Sequence, residues 1–179
     1  MIILRGIQDI AGQGGDRLEE DIFVKIYREY YKHVYRYLYS MTFDSHKAED
    51  MAQDVFVKAF CLLDFPNGKI KSWLLMVAHN LYVDHLKKNK RLEFRGDESL
   101  LKQPDGDIHK TVQEKEALSQ VILQLKILPE AQRQAVVLCL IDEMGYAEAA
   151  EIMGLTVSAV TNLIYRARKT LRALRRLEE

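Results

Sequence analysis

Three groups of side chains in this chain have types and spacings suited to chemistry, and in each case the chemistry is recognition. Near the carboxyl end, Ser158, Thr161, Asn162, Tyr165, Arg168, Lys169 and Arg172 fall on one side of a helical pattern whose other side is Val160, Ile164, Ala167, Leu171 and Leu174. Asparagine and arginine form paired hydrogen bonds to base edges, and basic side chains neutralise phosphates, so this face suits the major groove of duplex DNA. A second group lies in IKSWLLMVAHNLYVDHLKKNKR, where Asn80, Asp84, Lys87, Lys88 and Arg91 line a polar side opposite Trp73, Val77 and Leu81. It reads as a basic groove containing an amide able to meet a base edge, although Asp84 and Lys88 also have the favourable order for an ordinary intrahelical ion pair. The third group is acidic. Asp50, Gln53 and Asp54 share one face of AEDMAQDVFVKAF while Met51, Val55 and Ala59 share another. Like charges four residues apart repel weakly, so Asp50 and Asp54 do not stabilise their own helix. The face suits a basic partner, and the same pattern also suits plain solvation.

The element that must position the first group is a helix-turn-helix. Tyr146, Ala149, Ala150 and Met153 make the apolar side of a short helix whose alanines let a second helix cross closely. Gly154 ends it, at a position where positive φ is usual, and Thr156 or Ser158 can accept a hydrogen bond from the first free amides of the next helix. An amphipathic helix pair with a solvated basic face would share these features.

The 179 residues allow one large or two small domains. Lysine plus arginine equals aspartate plus glutamate, 26 each, so net charge makes no case for nucleic acid and only the placement of charges matters. They are segregated: Lys87, Lys88, Lys90, Arg91 and Arg95 form one basic cluster, Arg166, Arg168, Lys169, Arg172, Arg175 and Arg176 another, and an acidic stretch from Asp97 to Glu116 separates them. Cys61 and Cys139 sit apart in helical patterns and read as buried, reduced thiols. No metal spacing, catalytic triad or phosphate loop occurs, so neither a metal, a cofactor nor an enzymatic site is expected. With no export signal and no apolar run of about 20 residues, a cytoplasmic chain without membrane insertion is expected.

No strand-like alternation competes with the helical periodicities, and the expected fold is all-α: two small helical domains joined by a flexible linker. A glycine-rich leader, 1–19, precedes an amino-terminal domain, 20–92; a linker, 93–112, leads to a carboxyl-terminal domain, 113–179, containing the helix-turn-helix. Phe23, Ile26, Tyr27, Tyr30, Val34, Leu38 and Met41 stripe the first helix, thickened by further tyrosines that read as core. Asp44 or Ser45 caps a helix through about Leu63, Ser72 another through about Arg91, and Pro129 suits the first turn of a helix carrying Val136, Val137, Leu140 and Ile141.

Taken in order, AEDMAQDVFVKAF, SWLLMVAHNLYVDHLKKNKR and LPEAQRQAVVLCLIDEMGYAEAAEIMGLTVSAVTNLIYRARKTL resemble the extracytoplasmic-function sigma factors of the sigma-70 family, over Glu20 to Arg176. The resemblance implies a factor that binds core RNA polymerase and directs promoter recognition and transcription initiation. It implies polymerase docking through Asp50, Gln53 and Asp54, with Asp54 standing where glutamate is usual. It implies capture of an unstacked base of the minus-ten element by Asn80, with Phe65 in the preceding loop and Lys87, Lys88 and Arg91 alongside. It implies reading of the minus-thirty-five element by Asn162, Tyr165 and Arg166, with Ser158 and Thr161 on the same face and Arg168 and Lys169 near phosphates. Thr161 and Leu163 replace residues that are commonly basic in the family. The partners implied are core polymerase, promoter DNA as duplex and melted strand, and an anti-sigma factor. The alternative is a dimeric helix-turn-helix regulator whose amino-terminal domain senses a ligand or dimerises; it would bind paired half-sites.

Overall fold

A computed structural model describes residues 17–62, 69–93 and 121–176. The described elements are helical: α1 (Arg17–Thr42), α2 (Ser45–Leu62), α3 (Ile70–Glu93), a helical stretch over 121–127, α4 (Glu130–Val136) continuing into a π-helical turn (Val137–Ile141), α5 (Tyr146–Met153) and α6 (Val157–Arg175). Residues 1–16 of the leader and 94–112 of the linker lie outside the described residues, as does Phe65, while Arg17 to Glu19, expected in the leader, already belong to α1.

The first three helices pack on one another around Phe23, Val34, Tyr37, Leu38, Val55, Phe56, Leu74 and Leu75. Of the α1 stripe, Phe23, Ile26, Val34, Leu38 and Met41 are buried while Tyr27 and Tyr30 are half-buried, and Tyr27, Tyr31, Tyr35 and Tyr39 form a half-buried ladder with successive ring centroids 5.0, 6.0 and 6.0 Å apart. Phe56 of α2 closes on Tyr27 edge-on at 4.8 Å, which ties the ladder to the core. Asp44 is the α2 cap, its Oδ1 accepting from the Lys47 amide at 3.1 Å.

Several local expectations shift. Ser72 does not cap α3: the helix already begins at Ile70, the Lys69 carbonyl accepts from the Trp73 amide, and the Ser72 hydroxyl donates instead to Glu148. On α3 the buried residues are Leu74, Leu75, Ala78 and Tyr82, whereas Trp73, Val77 and Leu81 are only half-buried. This helix is covered from several sides, by α1, α2 and α5, so its buried arc is wider than one stripe. Asp84 pairs at 3.6 Å with Lys87 rather than Lys88, both ends largely in solvent. Cys61 is exposed, because it falls two residues past Ala59 on the far side of α2 from Met51, Val55 and Ala59; Cys139 is buried.

In the carboxyl-terminal half, Pro129 stands one residue before α4 and its carbonyl accepts from the Arg133 amide. The helix then widens: the Asp142 amide donates to the Val137 carbonyl, five residues back, at 2.9 Å. That widening turns Leu140 outward, against the expected stripe, and carries Asp142 inward, to 2% exposure.

Candidate nucleic-acid interface and the polar junction beside it

The helix-turn-helix is built as its residues require. Gly145 donates its amide to Glu148 Oε2 at 3.3 Å as α5 begins, and Ala149, Ala150 and Ile152 face inward. Gly154 closes α5 with φ of 62°, a left-handed conformation that carries a Cβ at a cost, and the Leu155 amide then satisfies the Ala150 carbonyl. Thr156 caps α6, its Oγ1 accepting from the Ala159 amide at 3.2 Å; Ser158 does not cap. Val160, Ile164 and Ala167 are fully buried, with Leu171 and Leu174 half-buried behind them.

The opposite side of α6 is free. Ser158, Thr161, Asn162, Tyr165, Arg166, Arg168 and Lys169 are all exposed, and Tyr165, a large aromatic, is 69% exposed. The helix contains no acidic residue. At about 1.5 Å per residue it is long enough to lie in a major groove with its capped end foremost.

On α3, Asn80, Lys87 and Lys88 are exposed on one side, while Arg91 belongs to the helix with its side chain outside the described set. Next to Asn80, the side chain of His79 turns inward, where its Nδ1 lies 3.1 Å from the buried Tyr37 hydroxyl. Burial lowers the His79 pKa below its ordinary value, a nearby Glu130 opposing the shift, and burial drives the Tyr37 phenol far up. Both shifts favour the uncharged forms, so the Tyr37 hydroxyl and the His79 imidazole meet as a neutral hydrogen-bonded pair. On α2, Asp50 and Asp54 are exposed and Gln53 is half-buried at the edge of the same face. Two of the three recognition groups thus lie on adjacent packed helices and the third on a separate unit. Among the described residues no cluster of histidine, cysteine or carboxylates is placed to hold a metal ion, and no helix is long and apolar enough to cross a membrane.

Sequence reasoning passed over a polar junction between the two units. Asp142 Oδ1 meets the Arg36 guanidinium and, at 2.6 Å, His33 Nδ1 on α1; its main-chain carbonyl accepts from Lys71 Nζ at 2.6 Å. Ser72 Oγ donates to Glu148 Oε1 at 3.1 Å. A cavity of about 210 Å³ opens beside these contacts, lined by Tyr30, Lys71, Ser72, Asp142, Met144 and Glu148. The only sequence signal was an aspartate directly after an apolar run, which ordinarily marks a solvated helix end.

A small all-helical protein with a helix-turn-helix and a second unit bearing exposed amide, basic and acidic groups belongs to the class of DNA-binding transcription proteins. Its family follows from comparison. Residues 26–92 match the family model of sigma-70 region 2 and residues 118–171 that of sigma-70 region 4. The chain is 34% identical to the ECF RNA polymerase sigma factor SigM of Bacillus subtilis, over 84% of this chain and 93% of that one, and 32% identical to SigW of the same organism, over 86% and 89%. By fold it is similar to the sigma factor RpoE from Bartonella quintana, solved with the anti-sigma factor NepR (TM-score 0.75, 23% identity, 88% of this chain and 98% of that one). It is also similar to CnrH, solved with the cytosolic domain of CnrY (TM-score 0.67, 24% identity, 92% of each). The chain belongs to the extracytoplasmic-function sigma factors of the sigma-70 family. It is a regulatory initiation factor that directs transcription initiation. A region 2 match over the amino-terminal helices leaves the dimeric regulator without a sensor domain to support it.

Proposed function

We propose that the two units divide promoter recognition between them. The face of α6 from Ser158 to Lys169 reads the minus-thirty-five element as duplex, Asn162, Tyr165 and Arg166 toward bases and Arg168 and Lys169 toward phosphates. The face of α3 around Asn80, with Lys87, Lys88 and Arg91 along the backbone of the strand and Phe65 from the preceding loop, takes a base of the minus-ten element as it leaves the stack. Asp50, Gln53 and Asp54 dock on core polymerase. The observation that carries this reading is the pairing of two exposed basic faces, on α3 and α6, with an exposed acidic face on α2.

The mechanism needs no chemistry from the chain, so it is not an enzyme and needs no cofactor; catalysis belongs to the polymerase. Enclosing or stacking an extruded base contributes about 1–3 kcal/mol, enough to bias opening once the polymerase holds the duplex. The protein works in the cytoplasm, where polymerase and promoter are. An anti-sigma factor restrains it, an assignment supported by its fold relatives having been solved with such partners.

The test is run-off transcription with bacterial core polymerase and a promoter pool. Asn80→Ala and Arg166→Ala are each expected to lower initiation roughly 5- to 100-fold, the equivalent of one lost base contact. Wild-type activity in both variants would remove these residues from recognition. DNA binding by the protein alone, as a dimer and without stimulation of polymerase, would overturn the reading.

A further inference from the structure

Beside the polar row of α6, made by Ser158, Asn162, Arg166 and Lys169, runs a second row of different chemistry. Val157, Thr161 and Tyr165 follow one another at intervals of four residues, so they line one flank of the exposed side of the helix. Val157 is 48% exposed, and Leu155, in the turn just before the Thr156 cap, is 42% exposed. A single aliphatic side chain in water is ordinary. Here the aliphatic groups stand at the capped end of the helix, the end that goes foremost into a groove, and beside the residues that face it.

Thr161 belongs to this row by its methyl group. Its Oγ1 donates to the Val157 carbonyl at 2.9 Å, a bond within its own helix that uses the one hydroxyl hydrogen. What Thr161 offers a partner is therefore the Cγ2 methyl and an oxygen that can only accept. From Val157 to Thr161 the helix rises about 6 Å, so the two aliphatic groups meet the floor of a groove about two base-pair steps apart.

The major groove presents one aliphatic group to such a row. Base edges there are donors and acceptors, except for the C5 methyl of thymine. A donor or acceptor set against Val157 loses its water and gains no partner, which is costly, whereas a methyl group is stabilised by leaving water. The row thus favours thymine and disfavours a polar edge, while Asn162 and Arg166 beside it suit purine edges. We propose that Val157 and Thr161 are specificity-determining residues that read thymine methyl groups in the minus-thirty-five element, the Tyr165 ring extending the same apolar contact. The inference rests on the reading of α6 given above and adds to it the base chemistry that the helix selects.

The test uses holoenzyme assembled from core polymerase and the full chain, on a promoter recovered from the pool. Each thymine of the minus-thirty-five element, on either strand, is replaced in turn by deoxyuridine, which keeps the pairing and the polar edge and lacks only the methyl group. At the positions facing the row the replacement is expected to lower initiation about 3- to 5-fold, the worth of one methyl group taken out of water. Thr161→Ser keeps the hydroxyl and loses the methyl, so it should initiate equally on thymine and deoxyuridine at one such position. Thr161→Val keeps a methyl there and should remain sensitive, and Val157→Ala should lose sensitivity at the other position. Both side chains are exposed, and unchanged helical circular dichroism is expected in all three variants. Wild-type initiation that ignores deoxyuridine at every thymine, or an element made only of G·C pairs, would overturn the proposal. Sensitivity that survives Thr161→Ser or Val157→Ala at every position would remove that residue from the contact. Arg166→Ala measured alongside separates the two levels: if it lowers initiation while deoxyuridine does not, the reading of α6 stands and the methyl contact falls, and if it initiates like wild type both fall.

Discussion

His79 shows how a single residue beside a recognition face acquires a structural duty. Its neighbour Asn80 is exposed, whereas the imidazole is turned toward Tyr37 and held neutral by burial. The unfolded chain takes up a proton near the ordinary histidine pKa, about 6.5, and the folded chain only at lower pH. The stability due to His79 is therefore complete above that value and is lost as pH falls through it toward the folded value. His85 adds a contribution of the same sign, its pKa lowered by burial and by Lys47 and Lys88. The melting temperature is expected to fall between pH 8 and pH 5.5, and His79→Asn, which keeps a hydrogen-bonding group for Tyr37 without a titrating ring, should flatten that slope. An unchanged pH profile in the variant would show that His79 plays no part. The outward position of Asn80 was legible from spacing; the inward turn of His79 was not, because its hydrogen-bonding partner is a tyrosine far away in sequence.

At the scale of elements, the helix-turn-helix is the part most fully written into local sequence. Gly154 adopts the expected left-handed conformation, and a Cβ built there meets nothing within 4 Å. Gly154→Ala should therefore cost only the backbone term, about 1–2 kcal/mol, and lower the melting temperature without abolishing DNA binding. Thr156→Ala removes the α6 cap and should cost about 1 kcal/mol. Ile164→Ala, by contrast, empties a fully buried position and should cost about 2–5 kcal/mol. Denaturant titration separates the three, and an Ile164→Ala cost no larger than that of Thr156→Ala would mean that α6 is held by its ends and not by its stripe. The neighbouring π turn has no such local signature. VVLCLI reads as a continuous helix, and only the packing of Val137 and Leu138 below and Arg36 above selects the widened turn that buries Asp142.

For the whole molecule, the amino-terminal and carboxyl-terminal helices share one continuous buried hydrophobic cluster, and the polar junction lies beside it. Calorimetry of wild type is expected to give one cooperative transition, because the buried hydrophobic cluster is continuous across the two halves and is exposed together with the buried side chains of Asp142 and Arg133. Arg36→Glu should resolve this into two transitions without unfolding either unit. Two separate transitions in wild type would mean that the shared cluster and the junction together are too weak to couple them.

What the sequence determined by itself is what depends on neighbours within a few turns: the helical class, the amphipathic faces of α6 and most of α1, the glycine stop and threonine cap of the helix-turn-helix, and the exposure of Asp50, Asp54, Asn80, Lys87, Lys88 and the outer face of α6. These follow from the 3.6-residue repeat and from backbone groups that must find partners nearby. Only the tertiary structure decided which residues meet across the chain. Ser72 has an acceptor in Glu148 rather than a capping role, and Asp142, a polar residue after an apolar run, is buried because Arg36, His33 and Lys71 converge on it from the other unit. The reason is physical. A charged side chain enters the interior only where an opposite charge awaits it, and that partner is fixed by how whole helices pack, not by the residues beside it in the chain.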